Sequence, residues 1–270
     1  MNTTENIIVN VPLSPKRHHL ARQFAGEQPT IEKGKQVYLN TLAVGAVEDF
    51  LNLMEFETSL PQSELFNPVM RQFKDVADLV IPGFGQIECR RVLPEETAFC
   101  LPPEARENRL VYVAVGFEES LKTARLLGFL RGLDLTDSQT TIEIDKLSSM
   151  ESLLDYLILL EKGKEFLESD DKDAVAARDL VESQGMSLGL TVAALESVYR
   201  SSPNAQWRIK GGEVLSGETV SISRSLVAAR GKDEVSKDEV GGKVEVKMGD
   251  RKVQRLADKL LTKLAQVWQE

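Results

Sequence analysis

Asp78-Leu79-Val80-Ile81-Pro82-Gly83-Phe84-Gly85-Gln86-Ile87-Glu88-Cys89-Arg90-Arg91-Val92-Leu93 reads as two β-prone runs hinged on a Pro-Gly turn. Proline presets the first central position of such a turn, and glycine supplies a positive φ at the second. A hairpin here commits this part of the chain to antiparallel strands. Outward from it, Leu110 to Val115 and Ala124 to Leu130 flank the polar stretch Glu118 to Thr123 and predict a second hairpin. Thr140 to Ile144 alternates and predicts an edge strand, and Phe56 to Leu60 a short strand stopped by Pro61. Before Pro12 and Pro15, Ile7, Ile8, Val9 and Val11 form another β-prone run.

Helical spacing frames these strands. From Ile31 to Met54, Val37, Leu42, Ala46, Phe50, Leu51 and Met54 recur at three- and four-residue steps. Gly45 inside that helix permits a close approach. Ser149 to Leu167 predicts a second helix, with Ser148 or Ser149 as N-cap. Glu168 to Asp173 holds four acidic residues in six and marks an interdomain boundary, with a short helix from Ala174 to Glu182 in the connector. Leu188 to Tyr199 also predicts a helix. Beyond it, Gly211-Gly212 separates Trp207–Ile209 from Glu213–Val214, Thr219 to Ser223 alternates, and Lys243 to Met248 predicts a strand. The last element is an amphipathic helix. Val253, Leu256, Ala257, Leu260, Leu261, Leu264, Val267 and Trp268 make one stripe, and Arg251, Lys252, Arg255, Lys259 and Lys263 mostly decorate the other side. The expected fold is α+β. An N-terminal domain over residues 1–147 packs a helix on antiparallel hairpins. A helical connector follows over 148–185, then a smaller α+β C-terminal domain over 186–270.

Hydrophobic residues at 42% and charged residues at 28% place the chain among ordinary globular proteins. The net charge of −9 argues against a surface that grips nucleic acid or anionic lipid throughout. Residues 200–270 nevertheless hold 14 Lys+Arg against 10 Asp+Glu, while the first 199 hold 19 against 32. Such asymmetry is ordinary for solvated faces; the sharper reading is a basic tail that meets an acidic partner, including its own N-terminal half. Met1 to Asn10 has no basic stretch followed by an apolar run, and no window approaches the length of a membrane span. Cys89 and Cys100 are too few for a disulfide framework; they could bridge only if their strands paired. A cytoplasmic protein is expected.

Catalytic patterns are sparse. His18 and His19 sit beside Lys16 and Arg17 and read as a solvated basic arm, since neighbours in sequence cannot form a triad. Neither the cysteines nor the acidic cluster Asp170-Asp171-Asp173 has metal-ligand spacing, and no glycine cluster completes a phosphate loop. No cofactor or metal is expected. Asp78, Glu88 and Arg90 are the one set that could converge in a carboxylate site; salt pairing on a sheet surface is the preferred reading. Trp207 with Arg208, and the basic face of Arg251, Lys252, Arg255, Lys259 and Lys263, are the candidate partner-binding residues. The expected function is non-catalytic: a regulatory or adaptor protein whose partner is another protein. The alternatives are an enzyme with a carboxylate site, or nucleic-acid binding by the basic C-terminal domain.

One resemblance adds to this. Val37-Tyr38-Leu39-Asn40-Thr41-Leu42-Ala43-Val44, Asn67-Pro68-Val69 with Asp75-Val76-Ala77-Asp78-Leu79, and Ile87-Glu88-Cys89-Arg90 with Val92-Leu93-Pro94 resemble a cyanobacterial family, the domain of unknown function numbered 1822. Tyr112-Val113-Ala114-Val115 and Ala124-Arg125-Leu126-Leu127-Gly128-Phe129-Leu130 are similar to its closing hairpin. The resemblance covers about residues 17–132 and departs at Gly45 and Gly116. It implies a cytosolic protein whose relatives tend to be encoded near regulatory genes, and carries no activity.

Overall fold

The computed structural model describes residues 8–106, 109–136, 139–183, 189, 191–193, 195–196, 209–210, 213–214 and 248–269. It has the expected α+β composition. The chain divides into two compact units, Met1–Tyr156 and Leu157–Glu270.

In the first unit, strand β1 (Val9–Pro12) leads into helix α1 (Pro15–Gly26), capped by Ser14, whose hydroxyl accepts from the Arg17 N–H at 3.3 Å. The Lys16–His19 segment therefore lies on a helix and not in a solvated arm. His18 Nδ1 lies 2.7 Å from the Tyr38 hydroxyl, on helix α2 (Ile31–Leu53). Gly34 of α2 faces the Ala25 carbonyl of α1. Over Gly45, a Cβ would stand 2.9 Å from the Arg17 side chain. The absent side chain is the space in which Arg17 reaches Glu48 and Asp49, the latter at 2.5 Å.

A short helix, α3 (Pro68–Phe73), precedes the quoted hairpin, β2 (Asp78–Ile81) and β3 (Gly85–Val92). Its turn is as the sequence demands: Gly83 has φ 80°, and the Phe84 N–H donates to the Ile81 carbonyl at 3.0 Å. The second hairpin joins β5 (Arg109–Phe117) to β6 (Thr123–Arg131), with a bulge at Leu127. The sheet order is β1-β6-β5-β3-β2. Both hairpins are antiparallel, yet they meet along a parallel seam, Glu88 beside Tyr112 and Arg90 beside Ala114. Phe56 to Leu60 forms no strand; only Ser59 bridges to Val80. Thr140 to Ile144 yields β7 (Thr141–Glu143), which leaves the main sheet and pairs with β4 (Ala98–Cys100). Cys89 and Cys100 thus sit in different sheets, both free.

Helix α2 packs against β1, β2, β3 and β6 and buries Val37 and Leu42 through Val47. A second cluster, containing no α2 residue, joins Val92, Tyr112 and Ala114 of the sheet to Phe99, Leu101, Ile142 and Leu147. Alternation along β3 puts Glu88 and Arg90 on the same face as Val92, under that cover. At Gly128 a Cβ would lie 2.5 Å from the Ser148 carbonyl, so this position requires glycine to let β6 meet the following chain.

Helix α4 (Met150–Glu168) is capped by Ser149, which accepts from the Ser152 N–H at 3.2 Å. In the second unit, Asp171 accepts from the Asp173 and Ala174 N–H groups and caps α5 (Lys172–Ser183). The C-terminal helix runs Met248–Gln269 and buries Leu260, Leu261 and Leu264. Met248 opens this helix, so the predicted Lys243 to Met248 strand does not include it. Strands β8 (Ile209–Lys210) and β9 (Glu213–Val214) pair across positions 211–212. Most of the predicted Leu188 to Tyr199 helix and the Thr219 to Ser223 run lie outside the described residues, as does the rest of the 243–247 segment.

Candidate functional site

The polar residues of β3 do not form a solvated face. Asp78, Glu88 and Arg90 are all buried, which corrects the expectation of salt pairing on a sheet surface. Glu88 sits at the centre. Its Oε2 accepts from Arg109 Nε at 2.9 Å. Its Oε1 lies 2.9 Å from Arg90 Nε, misaligned for a hydrogen bond, so that contact is held by charge alone. Each arginine has a second anchor. Arg90 reaches the Asp75 carboxylate at 2.8 Å and the Asp75 carbonyl at 2.6 Å. Arg109 reaches Glu64 at 3.0 Å and also donates to Gln86.

Asp78, the direct cross-strand partner of Glu88, avoids it by turning to backbone donors. Its oxygens accept from the Glu64 and Leu65 N–H groups at 2.9 and 3.0 Å, and from Gln86 Nε2 at 3.0 Å. Asn40 of α2 closes the far end, donating to Asp75 at 2.7 Å and to the Val76 carbonyl at 3.1 Å.

The titration directions follow from this wiring. Burial pushes the Glu88 carboxyl above its usual range despite the attraction of Arg90 and Arg109. Burial likewise raises Asp78 against its backbone hydrogen bonds. Asp75 goes the other way: burial works to raise it, but Arg90 and Asn40 outweigh that and hold it low. For Arg109, burial works to lower the value and the surrounding carboxylates overcome it, so the guanidinium stays charged. Burial takes the Tyr112 hydroxyl up to about 12 while it donates to the Arg106 carbonyl at 3.1 Å. The chemistry of the set is therefore that of a structural weld. Each buried charge faces an opposite charge or a backbone donor, the condition under which buried ions persist. Among the described residues, no group of three or more His, Cys, Asp or Glu side chains is placed to hold a metal ion.

The candidate partner-binding residues are scattered. Trp207 and Arg208 lie outside the described residues. Arg251, Lys252 and Arg255 belong to the N-terminal half of the C-terminal helix. Lys263 on that helix contacts Asp171 at 2.6 Å and Asp173 at 2.9 Å, and Lys259 reaches Asp173 at 3.4 Å. Trp268 Nε1 donates to the Leu159 carbonyl at 2.9 Å.

A feature that periodicity missed lies on α3 and the first turn of α2. Phe73, Val69 and Ile31 are 75%, 62% and 74% exposed. The opposite side of α3 is anchored. Arg71 pairs with Glu27, lies 3.7 Å over the Phe24 ring, and donates to the Leu65 carbonyl at 2.8 Å. Lys33 Nζ of α2 donates to the Lys74 carbonyl at 2.6 Å, which brings the end of α3 beside the start of α2. Asn67-Pro68 signals the α3 start, cap and first-turn proline together; nothing local signals that Val69 and Phe73 face water.

Among the described residues, no helix is long and apolar enough to cross a membrane. No curated protein and no solved structure matches the chain. The family model described as a protein of unknown function, DUF1822, matches residues 11–205, taking in the whole buried network and the α2–α3 patch. By that match, which spans well over half of its length, the chain belongs to the DUF1822 family.

Proposed function

We propose that the protein is a non-catalytic regulatory or adaptor protein of the cytoplasm, acting through protein–protein contacts. The observation that carries this is the exposure of Ile31, Val69 and Phe73 on an anchored surface. Large apolar side chains gathered in water are the usual mark of a contact surface. The buried network supports the same reading from the opposite direction. A general acid or base needs a proton it can exchange with substrate, whereas Glu88 and Asp78 are enclosed and engaged with arginines and backbone donors. The carboxylate-enzyme alternative draws less support from that arrangement. Nucleic-acid binding by the C-terminal domain draws on Lys259 and Lys263, whose charge is already answered by Asp171 and Asp173.

The test is affinity capture of the full chain from a lysate of its native host, with an unrelated acidic protein of similar size as the control bait. The expected result is a different protein retained by this chain and not by the control. Recovery of nothing beyond the chain itself refutes the adaptor reading.

A further inference from the structure

We propose that the α2–α3 patch is a two-fold interface between copies of this chain. The inference rests on the contact reading of the same patch and names its occupant. Val69 and Phe73 are four residues apart on α3, so they project from one side of it. Ile31 opens the neighbouring first turn of α2, held there by the bond from Lys33 to the Lys74 carbonyl. Arg71 fixes α3 from beneath through Glu27, Phe24 and Leu65, so the face is ordered before anything binds, which lowers the entropic cost of association.

The choice of a second copy follows from charge. Exposed Glu32 flanks Ile31 at one end, and exposed Lys74 follows Phe73 at the other. A partner of single sign would match only one end. A two-fold axis through the patch lays each half on the other, Phe73 of one copy on Ile31 of the second and Lys74 on Glu32. The patch is thus its own complement, the requirement of an isologous interface. A chain with net charge −9 gains from a contact whose rim pairs opposite charges, since the two molecules otherwise repel.

The experiment is sedimentation equilibrium of the purified full chain from roughly 1 to 100 μM, a range that resolves micromolar dimers. The wild-type chain is expected to dimerise. Phe73→Asp should weaken the dimer by about 100-fold or more, because a two-fold interface counts each substitution twice. Phe73 is exposed, so the variant keeps its fold, which circular dichroism verifies. Glu32→Lys and Lys74→Glu should each weaken association, and the double variant should recover it. A wild-type chain that stays monomeric, a dimer indifferent to Phe73→Asp, or a double variant no better than the singles overturns the proposal. Failure here is separable from failure of the adaptor reading: a monomer that still captures another protein sinks only the dimer, and a dimer that captures nothing else sinks only the adaptor.

Discussion

Replacing Glu88 with Gln tests whether the buried network holds the first unit together. The amide keeps the shape and one acceptor, so Arg109 Nε retains its bond, 2.9 Å long in the wild type. What goes is the negative charge between two buried guanidinium groups, and the new NH2 faces the Arg90 Nε–H, donor against donor. Removing one partner from a buried ion pair costs about 3–5 kcal/mol. Here each arginine keeps a second carboxylate, Asp75 for Arg90 and Glu64 for Arg109, so the low end applies, about 3 kcal/mol. That corresponds to roughly 150-fold more opening of the sheet. Native-state hydrogen exchange reads it at the Cys89 amide, bonded to the Ala77 carbonyl at 2.7 Å, and at Val113 on the adjoining strand. The pH dependence adds a second criterion. Burial raises the folded Glu88 pKa, so the folded state holds this proton more firmly than the unfolded chain does. That contribution is complete below the ordinary carboxylate value and disappears as pH rises through the raised one. Wild type and Glu88→Gln should therefore converge as pH falls through that window. Exchange within threefold of wild type at neutral pH, or a gap that widens in acid, refutes the reasoning.

Three other outcomes are expected. Gly163→Ala puts a Cβ 2.5 Å from Val192 Cγ1 and 3.5 Å from Leu264 Cδ2 and Trp268 Cζ2. Overpacking of about 1–3 kcal/mol should outweigh the helix-propensity gain of about 1 kcal/mol, lowering the urea midpoint followed by Trp268 fluorescence in a Trp207→Phe background; an unchanged midpoint contradicts this. Iodoacetamide should label exposed Cys100 in the native chain and Cys89 only on unfolding, because burial encloses Cys89 and pushes its thiol well above the usual range; equal rates contradict it. Lys263 hydrogen bonds hold the Asp171 and Asp173 carboxyls low, so their stabilisation is present above the ordinary value of about 4 and is lost as pH falls through the depressed folded values. Exchange protection at Leu260 and Leu264 should drop in that acid window, and Lys263→Met should remove the dependence.

Much of the first unit was legible because its signals are local. Pro82-Gly83 dictates a turn, the runs on each side of Glu118 to Thr123 close a hairpin, and the repeat from Val37 to Phe50 writes α2. The parallel seam of β3 and β5 was not legible, since β4 and much else intervene and local pattern carries no strand direction. Helix α1 hid behind Lys16-Arg17-His18-His19, because only Ala21 and Phe24 bury on it. The network was misplaced for a sharper reason. Alternation separates a polar face from an apolar one but is silent on what covers the polar face, and Phe99, Leu101 and Ile142 cover this one. Arg109, Glu64 and Asp75 complete the weld from distant positions that no spacing rule links to Glu88. The patch on α3 escaped because a six-residue helix is too short to show a periodic stripe.

The account stands on the α2–α3 face being a contact surface in the living cell, and amine-specific crosslinking in intact cells reads that face directly. The Lys33–Lys74 link serves as an internal ruler, given the 2.6 Å from Lys33 Nζ to the Lys74 carbonyl. The expected result is further links from Lys35 or Lys74 to another polypeptide, including Lys74–Lys74 links that only two copies can make. Links confined to Lys33, Lys35 and Lys74 of one chain, at reagent doses that join known complexes in the same cells, would contradict it.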